Sequence, residues 1–377
     1  MKISIDARGI NLYSGTGIGT YTENIVKNLV NIDTLNNYHV FWSGNNYESI
    51  KKDNCKIVMT SKKHQRFFED YYFPENISKE NIDIYHMPQN GIGFSEDISC
   101  KKIVTIHDLI PYVMPETVGR SYLLKFLKEM PIIMGGSDGI ITVSEFSKQD
   151  ILKFFPIDEK KIFVTPLAAD KKYTPLDKLH CKNILKTIYN LTKPFILYLG
   201  GFSERKNVAS AITAFSKVYK DLNKDYDLVI VGGYRDPSQN LVKLVHQLKM
   251  ESHVVFTGFV PEEHLPIFYN SCDTFIYPSF YEGFGLPPLE AMNCGTPVIA
   301  SNLTSIPEVV GDGGILIDPY DISEMSFAIG NLLGNESLRS ELSSKALIRA
   351  SEFSWENTAR NTLKVYESIY NNETVDK

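Results

Sequence analysis

Thr274-Phe275-Ile276-Tyr277-Pro278 runs directly into Ser279-Phe280-Tyr281-Glu282-Gly283-Phe284-Gly285-Leu286-Pro287-Pro288-Leu289-Glu290-Ala291-Met292. The first five residues form an apolar run of strand length. Two glycines then open a turn, and proline follows where the first turn of a helix tolerates it. Strand, glycine turn and helix in one stretch are half of a parallel β-α-β unit. Ligands of such sheets sit just beyond the carboxyl ends of the strands. The turn therefore marks a place to look for a site, and Gly283 and Gly285 let backbone N–H groups approach a ligand closely.

The same alternation extends in both directions. Before it, strands are expected at Phe195–Gly200, Leu228–Gly232 and Val254–Gly258; after it, at Val298–Ser301 and Ile315–Asp318. The first half repeats the pattern at Lys2–Ala7, His39–Trp42, Ile57–Thr60, Asp83–Met87, Ile103–His107, Gly139–Ser144 and Ile162–Pro166. Amphipathic segments of helix length separate them, among them Thr20–Val30, Lys63–Tyr72, Val208–Tyr219 and Ile322–Leu333. Two such series predict an α/β chain of two Rossmann-like, doubly wound parallel-sheet domains facing a central cleft. The expected division is 1–172, a first domain; 173–354, a second; and 355–377, a helix packing back toward the first. The polar stretch Asp170–Lys193, with Pro175 and Pro194 close by, reads as the linker.

Composition narrows the function. A net charge of −6 argues against a bulk nucleic-acid binder, so any anionic substrate must be met by local cations. Five scattered cysteines without a Cys-x-x-Cys pair argue against a disulfide scaffold or zinc ribbon and fit a reducing cytosol. The opening Met1-Lys2-Ile3-Ser4-Ile5-Asp6 reads as a strand start, not a signal peptide, and no apolar run approaches the roughly 20 residues of a membrane span.

The chemistry concentrates in the second half. After Phe195–Gly200 comes Gly201-Phe202-Ser203-Glu204-Arg205-Lys206-Asn207, then a helix. Arg205 and Lys206 stand at a βα loop, where a helix N-terminus adds donors and the positive end of its dipole. Together they are placed to meet an anion, although solvated surface charges would look the same. Glu282 in the turn and Glu290 one turn into the helix are carboxylates able to accept bonds from sugar hydroxyls. A plain turn residue and an early helix acid are competing readings.

Glu282 and Glu290, seven residues apart around Gly-Phe-Gly-Leu, resemble the E-x7-E signature of the retaining glycosyltransferases of GT-B architecture, family 4 in particular. Further landmarks in the same order resemble that family across nearly the whole chain. They are Ile5-Asp6-Ala7-Arg8 with Gly15-Thr16-Gly17-Ile18-Gly19, Thr105-Ile106-His107-Asp108, Thr142-Val143-Ser144-Glu145, Thr165-Pro166-Leu167 and Gly258-Phe259-Val260. The opening motif is similar to mannosyltransferase-like members. The resemblance implies that Arg205 and Lys206 bind the donor diphosphate and that Glu282 contacts the donor sugar. It implies too that backbone N–H groups of Gly283, Phe284 and Gly285 lie beside that sugar and that the N–H of Leu286 touches phosphate. It also implies that Glu290 holds the ribose, that Phe259 and Val260 frame the base, and that Gly17 reaches the donor phosphate. Many members carry arginine where this sequence has Gly201, so that either Arg205 does more of the charge work or diphosphate binding is weaker.

In the first half, Gly15-x-Gly17-x-Gly19 is too far behind its strand for a dinucleotide fingerprint, and the next strand ends in Ser43-Gly44, not in a ribose-binding acid. His107 alone reads as a histidine bonded to a neighbour; the resemblance implies a contact to donor sugar or acceptor. His86 is the second cleft candidate. Asp225-Tyr226-Asp227 precedes its strand, so no metal site is assigned and no cofactor is expected beyond the nucleotide sugar as co-substrate. Lys62-Lys63-His64-Gln65-Arg66-Phe67-Phe68 reads as a solvated helix with a core-facing aromatic pair; an acceptor entrance or contact with an anionic membrane is the sharper option.

The resemblance thus implies a retaining, metal-independent hexosyltransferase. Its donor would be a nucleotide-diphosphate sugar, GDP-mannose before a UDP-sugar. Its acceptor would be a glycan or polyprenyl-linked hydroxyl in cell-surface polysaccharide or glycoconjugate synthesis. The expected location is cytoplasmic, with peripheral contact at the inner face of the membrane left open. The alternatives are a catalytically silent GT-B subunit that binds a glycan or partner, and a sugar-nucleotide epimerase of the same architecture.

Overall fold

The computed structural model describes residues 1–61, 63–233 and 237–372. The chain divides into two compact units: Met1–Leu167 with the chain from Ser354 onward, and Ala168–Phe353.

Unit 1 holds β1 (Lys2–Asp6), β2 (Asn37–Trp42), β3 (Cys55–Met59), β4 (Ile84–Met87), β5 (Lys101–Ile106), β6 (Gly139–Thr142) and β7 (Ile162–Val164), in the order β3-β2-β1-β4-β5-β6-β7. Every neighbouring pair is parallel; Ile5 stands between Val40 of β2 and His86 of β4. Unit 2 holds β8 (Phe195–Leu199), β9 (Asp227–Val231), β10 (Val254–Gly258), β11 (Thr274–Tyr277), β12 (Val298–Ser301) and β13 (Gly314–Ile317), in the order β10-β9-β8-β11-β12-β13. Both sheets are doubly wound: strands are added to one side up to β3 and to β10, then to the other side from β4 and from β11, so the switch points lie between β1 and β4 and between β8 and β11. All thirteen expected strands form. Parallel strands covered on both faces are buried throughout, which is why they read as unbroken apolar runs. All four residues of β11 and of β12 are buried.

One core of unit 2 gathers Ile196, Tyr198, Ile230, Ile276 and Ile299 from the strands with Phe215, Ile329 and Leu332 from the helices Val208–Val218 and Ile322–Gly334. Each such side chain stabilises the fold by roughly 1.5–3 kcal/mol on burial. The helix Trp355–Asn371 belongs to unit 1: Trp355 lies 6.2 Å from the Tyr21 ring, and Thr358 Oγ1 donates to Pro166 O at 2.6 Å.

Three expectations change. The stretch expected as a linker contains the helix Lys178–Tyr189. Asp177 caps it by accepting from His180 N at 2.6 Å, Asn190 ends it in the left-handed region, and Cys181 and Leu185 are its buried face. The single helix expected over Lys63–Tyr72 is broken: Gln65–Phe67 is α-helical, Phe68–Tyr72 is a π-helical turn and Phe73–Lys79 is α-helical again, after a left-handed His64. Phe67 is exposed and Phe68 packs on the unit 1 core, so the aromatic pair is split; Lys62 lies outside the described residues. Residues 168–172, expected in the first domain, fall in unit 2, where Lys172 pairs with Glu262.

Candidate functional site

Two loops of unit 2 leave neighbouring strands, β8 and β11, at their carboxyl ends. The first forms a 3₁₀ turn, Glu204–Lys206, before Asn207 enters the left-handed region and the helix Val208–Val218 begins. The loop after β8 lies close to its neighbour: a Cβ on Gly232 would stand 2.5 Å from Gly200 O. The second loop runs from Tyr277 to the helix Leu286–Asn293. Gly285 stands at its entry with φ +128°, where a side chain would be strained and would meet Ile306. Phe280 N donates to Arg205 O at 2.8 Å and ties the loops together.

Their side chains converge on one oxygen. Glu282 Oε1 is 2.7 Å from Lys206 Nζ and 2.9 Å from Arg205 Nη1. Lys206 also donates to Tyr277 OH at 2.7 Å, with its ammonium 5.0 Å from the centre of that ring. Arg205 Nη1 donates to Tyr281 O as well. Burial alone would raise the Glu282 carboxyl, but the charges of Lys206 and Arg205 outweigh it and bring it down to about 2. Glu282 is therefore ionised at neutral pH.

The turn carrying Glu282 is held from β12's following loop. Glu282 N donates to Thr304 Oγ1 at 3.2 Å, and Ser305 Oγ is bonded to Glu282 O at 2.9 Å and Phe284 O at 2.7 Å. The Phe284 ring packs against Phe353.

Glu290 stands apart from this cluster. Its Oε2 accepts from Tyr269 OH at 2.9 Å, and the Tyr173 ring lies 5.6 Å from that of Tyr269. Burial lifts its carboxyl to about 7, against the hydrogen bond from Tyr269 and the charge of Lys172. Beyond β10, Phe259 is exposed and Val260 is buried. Leu286 is the first residue of its helix.

In unit 1, Gly17 opens the helix Gly17–Ile32 and is exposed. His107 is buried beyond β5. Its Nε2 lies 2.9 Å from Pro88 O, its N donates to Asn90 Oδ1 at 2.8 Å, and its ring meets Tyr21 edge-on at 4.8 Å. Burial lowers it to about 4, so the imidazole is neutral. A carbonyl can only accept, which fixes the proton on Nε2 and leaves a lone pair on Nδ1. His86 is corrected: it is a core histidine, with Nδ1 2.7 Å from Tyr366 OH and Nε2 2.8 Å from Thr105 Oγ1, and both nitrogens are occupied. The Asp225–Asp227 pair is held by a cation. Lys193 bonds Asp225 at 3.0 Å and Asp227 at 3.3 Å, at the amino end of β9. Among the described residues no cluster of His, Cys, Asp and Glu could hold a metal, and no helix is long and apolar enough to cross a membrane.

Tyr277, Tyr269, Thr304 and Ser305 went unread in the sequence. The tyrosines look like core residues of a strand and a helix, and only folding brings them to the carboxylates. Thr304 and Ser305 follow a strand end, the one local signal available.

Two doubly wound parallel sheets are the two halves of the GT-B architecture. Comparison with known proteins agrees. The family model described as glycosyl transferases group 1 matches residues 183–349, and that described as Glycosyltransferase Family 4 matches residues 15–173. The chain is 31% identical to the O-antigen chain mannosyltransferase B of Escherichia coli, over 98% of this chain and 100% of that one. It is also 31% identical to the serotype-specific mannosyltransferase WbdA of Escherichia coli, over 70% of this chain but only 33% of that longer protein. The crystal structure of Anabaena Alr3699/HepE in complex with UDP and glucose superposes with a TM-score of 0.77 at 16% identity, over 98% of this chain and 100% of that one, and supports the fold alone. The chain belongs to glycosyltransferase family 4, among its mannosyltransferase-like members.

Proposed function

We propose that the chain is a retaining hexosyltransferase that moves a sugar from a nucleotide-diphosphate donor, GDP-mannose before a UDP-sugar, to a hydroxyl of a glycan or polyprenyl-linked acceptor in cell-surface polysaccharide synthesis. The observation that carries this reading is the convergence of Lys206 and Arg205 on Glu282 Oε1. Two cations beside a helix N-terminus suit a departing diphosphate, whose charge grows as its bond to the sugar breaks. The donor diphosphate takes over contacts that Glu282 now makes, and the freed carboxylate accepts from sugar hydroxyls. Glu290, beside Tyr269, holds the ribose, with the base near Phe259 and Val260. The N–H groups of Gly283, Phe284, Gly285 and Leu286 line the turn.

The acceptor hydroxyl attacks from the face of the leaving group, and the departing phosphate oxygen takes its proton. Glu282 is therefore no nucleophile. His107, neutral and with its Nδ1 lone pair available, can accept from a hydroxyl but cannot serve as an acid at neutral pH. Arg205 and Lys206 supply the positive charge that a divalent ion supplies elsewhere. The chain acts in the cytoplasm. Mannosyltransferase relatives favour the mannosyl donor.

The test is a donor panel scored by released nucleotide, with the anomeric configuration of the product read by NMR. GDP-mannose giving an α-linked product is the expected result. A β-linked product would remove the retaining mechanism, and an isomerised donor without a new glycosidic bond would favour an epimerase.

A further inference from the structure

Unit 2 has a polar concavity on the edge of its sheet opposite the Arg205, Lys206 and Glu282 cluster. A groove of about 720 Å³ is lined by Pro194 and Phe195 at the start of β8, Asp273 just before β11 and Pro297 just before β12. The loops of the donor cluster leave the carboxyl ends of the same sheet, so the two places are separated by the length of the strands. Six cations line the groove. Lys178, Lys182 and Lys186 come from the helix Lys178–Tyr189, Lys193 and Lys224 from segments leading into β8 and β9, and Arg339 from the helix Glu336–Ala350. The lining acids are Asp273 and Glu336. Such a surplus stands out in a chain of net charge −6.

Local structure accounts for only part of the charge. Lys178 bonds Asp273 at 2.8 Å and Cys272 O at 3.1 Å, and Lys193 is held by Asp225 and Asp227. Arg339 Nη1 donates to the carbonyls of Leu332 and Leu333. Asp273 also accepts from Tyr226 OH at 3.0 Å and has little left to offer. Asp273 is thus engaged by Lys178 and Tyr226 before Lys182, Lys186 and Lys224 are counted, and Glu336 is the other lining acid. The helix dipole does not explain the stripe, since it favours cations only in the last turn, where Lys186 stands; Lys178 opens the helix. Spacing of four residues also sets Lys178, Lys182 and Lys186 above one another, where like charges repel. Burial, then the charges of Lys178 and Lys224, hold the Lys182 ammonium below its usual range, with Asp273 opposing.

We propose that this groove is a second anion site, taking a small ligand that carries several phosphate charges, and that it acts independently of the donor cluster. Its volume lies within the roughly 300–1,000 Å³ of small-ligand sites. A soluble phosphorylated compound and the headgroup of an anionic lipid present the same chemistry, and the experiment separates them.

Inorganic tripolyphosphate is titrated calorimetrically into the full chain. Parallel titrations use Lys206→Ala and the triple variant Lys182→Glu/Lys186→Glu/Lys224→Glu, and the milder Lys182→Gln/Lys186→Gln guards against misfolding of the triple. Phosphatidylglycerol and phosphatidylcholine vesicles are tested by co-sedimentation with the same proteins. The expected result is binding that survives Lys206→Ala and weakens at least tenfold in the triple variant and measurably in the glutamine pair. Loss of tripolyphosphate binding in these variants assigns a soluble ligand; lysine-dependent sedimentation with phosphatidylglycerol alone assigns a lipid headgroup. Either supports the site. Binding that ignores the three lysines, vanishes in Lys206→Ala alone, or is absent for both probes overturns it.

Discussion

Glu282 and Glu290 belong to one signature and sit on one loop and its helix, yet they carry opposite electrostatics. Glu282 faces two cations and is held down to about 2; Glu290 faces tyrosines and is lifted to about 7. The same side chain is a permanent anion at one depth and a titrating group at the other. Spacing places both acids, but the neighbours delivered by β8 and by Tyr269 decide what each can do.

The sharpest way to break this contrast is to remove the cation. Lys206→Ala should lower turnover by about a hundredfold to a thousandfold, as for loss of a donor to a developing charge. Its melting temperature should stay close to wild type, because Arg205 still pairs with Glu282. Full activity would dissolve the diphosphate role.

Next comes pH. Glu282 lies below its ordinary 4.5, so its stabilisation is present above 4.5 and lost as pH falls toward about 2. Glu290 lies above 4.5, so the folded state holds its proton longer and its contribution declines as pH rises from 4.5 to about 7. Thermal unfolding of Glu290→Gln should lack that second slope; an unchanged slope would refute the assignment. Nucleotide affinity should rise about fivefold as wild-type Glu290 ionises through pH 7, since bonds to a charged acceptor are stronger by about 1 kcal/mol. In Glu290→Gln it should be flat.

A smaller change is expected from Tyr269→Phe. It removes one bond to Glu290 Oε2, should move the pH midpoint of nucleotide binding upward, and should cost about 1 kcal/mol of stability. Smallest of all, EDTA should leave turnover unchanged; loss restored by Mn²⁺ would reverse the assignment of charge stabilisation to Arg205 and Lys206.

Sequence legibility followed burial. Strands such as β11 and β12, covered on both faces, announced themselves as apolar runs. The helix Lys178–Tyr189 did not, because its lysines and flanking prolines masked a buried face of Cys181 and Leu185. Arg205, Lys206, Glu282 and Glu290 were legible because each lies near a glycine turn or a helix start. Their partners Tyr277, Tyr269, Thr304 and Ser305 arrive from elsewhere in the fold, and no local pattern marks them. His86 misled for the same reason: a strand-end position says nothing of Tyr366, which lies 280 residues away.

The central claim is that Lys206 exchanges Glu282 for the donor diphosphate. Calorimetric titration of wild type and Lys206→Ala with GDP and with guanosine tests it most directly. The account predicts at least tenfold weaker GDP binding in the variant with guanosine binding unchanged. Equal GDP affinity in the two proteins would contradict it.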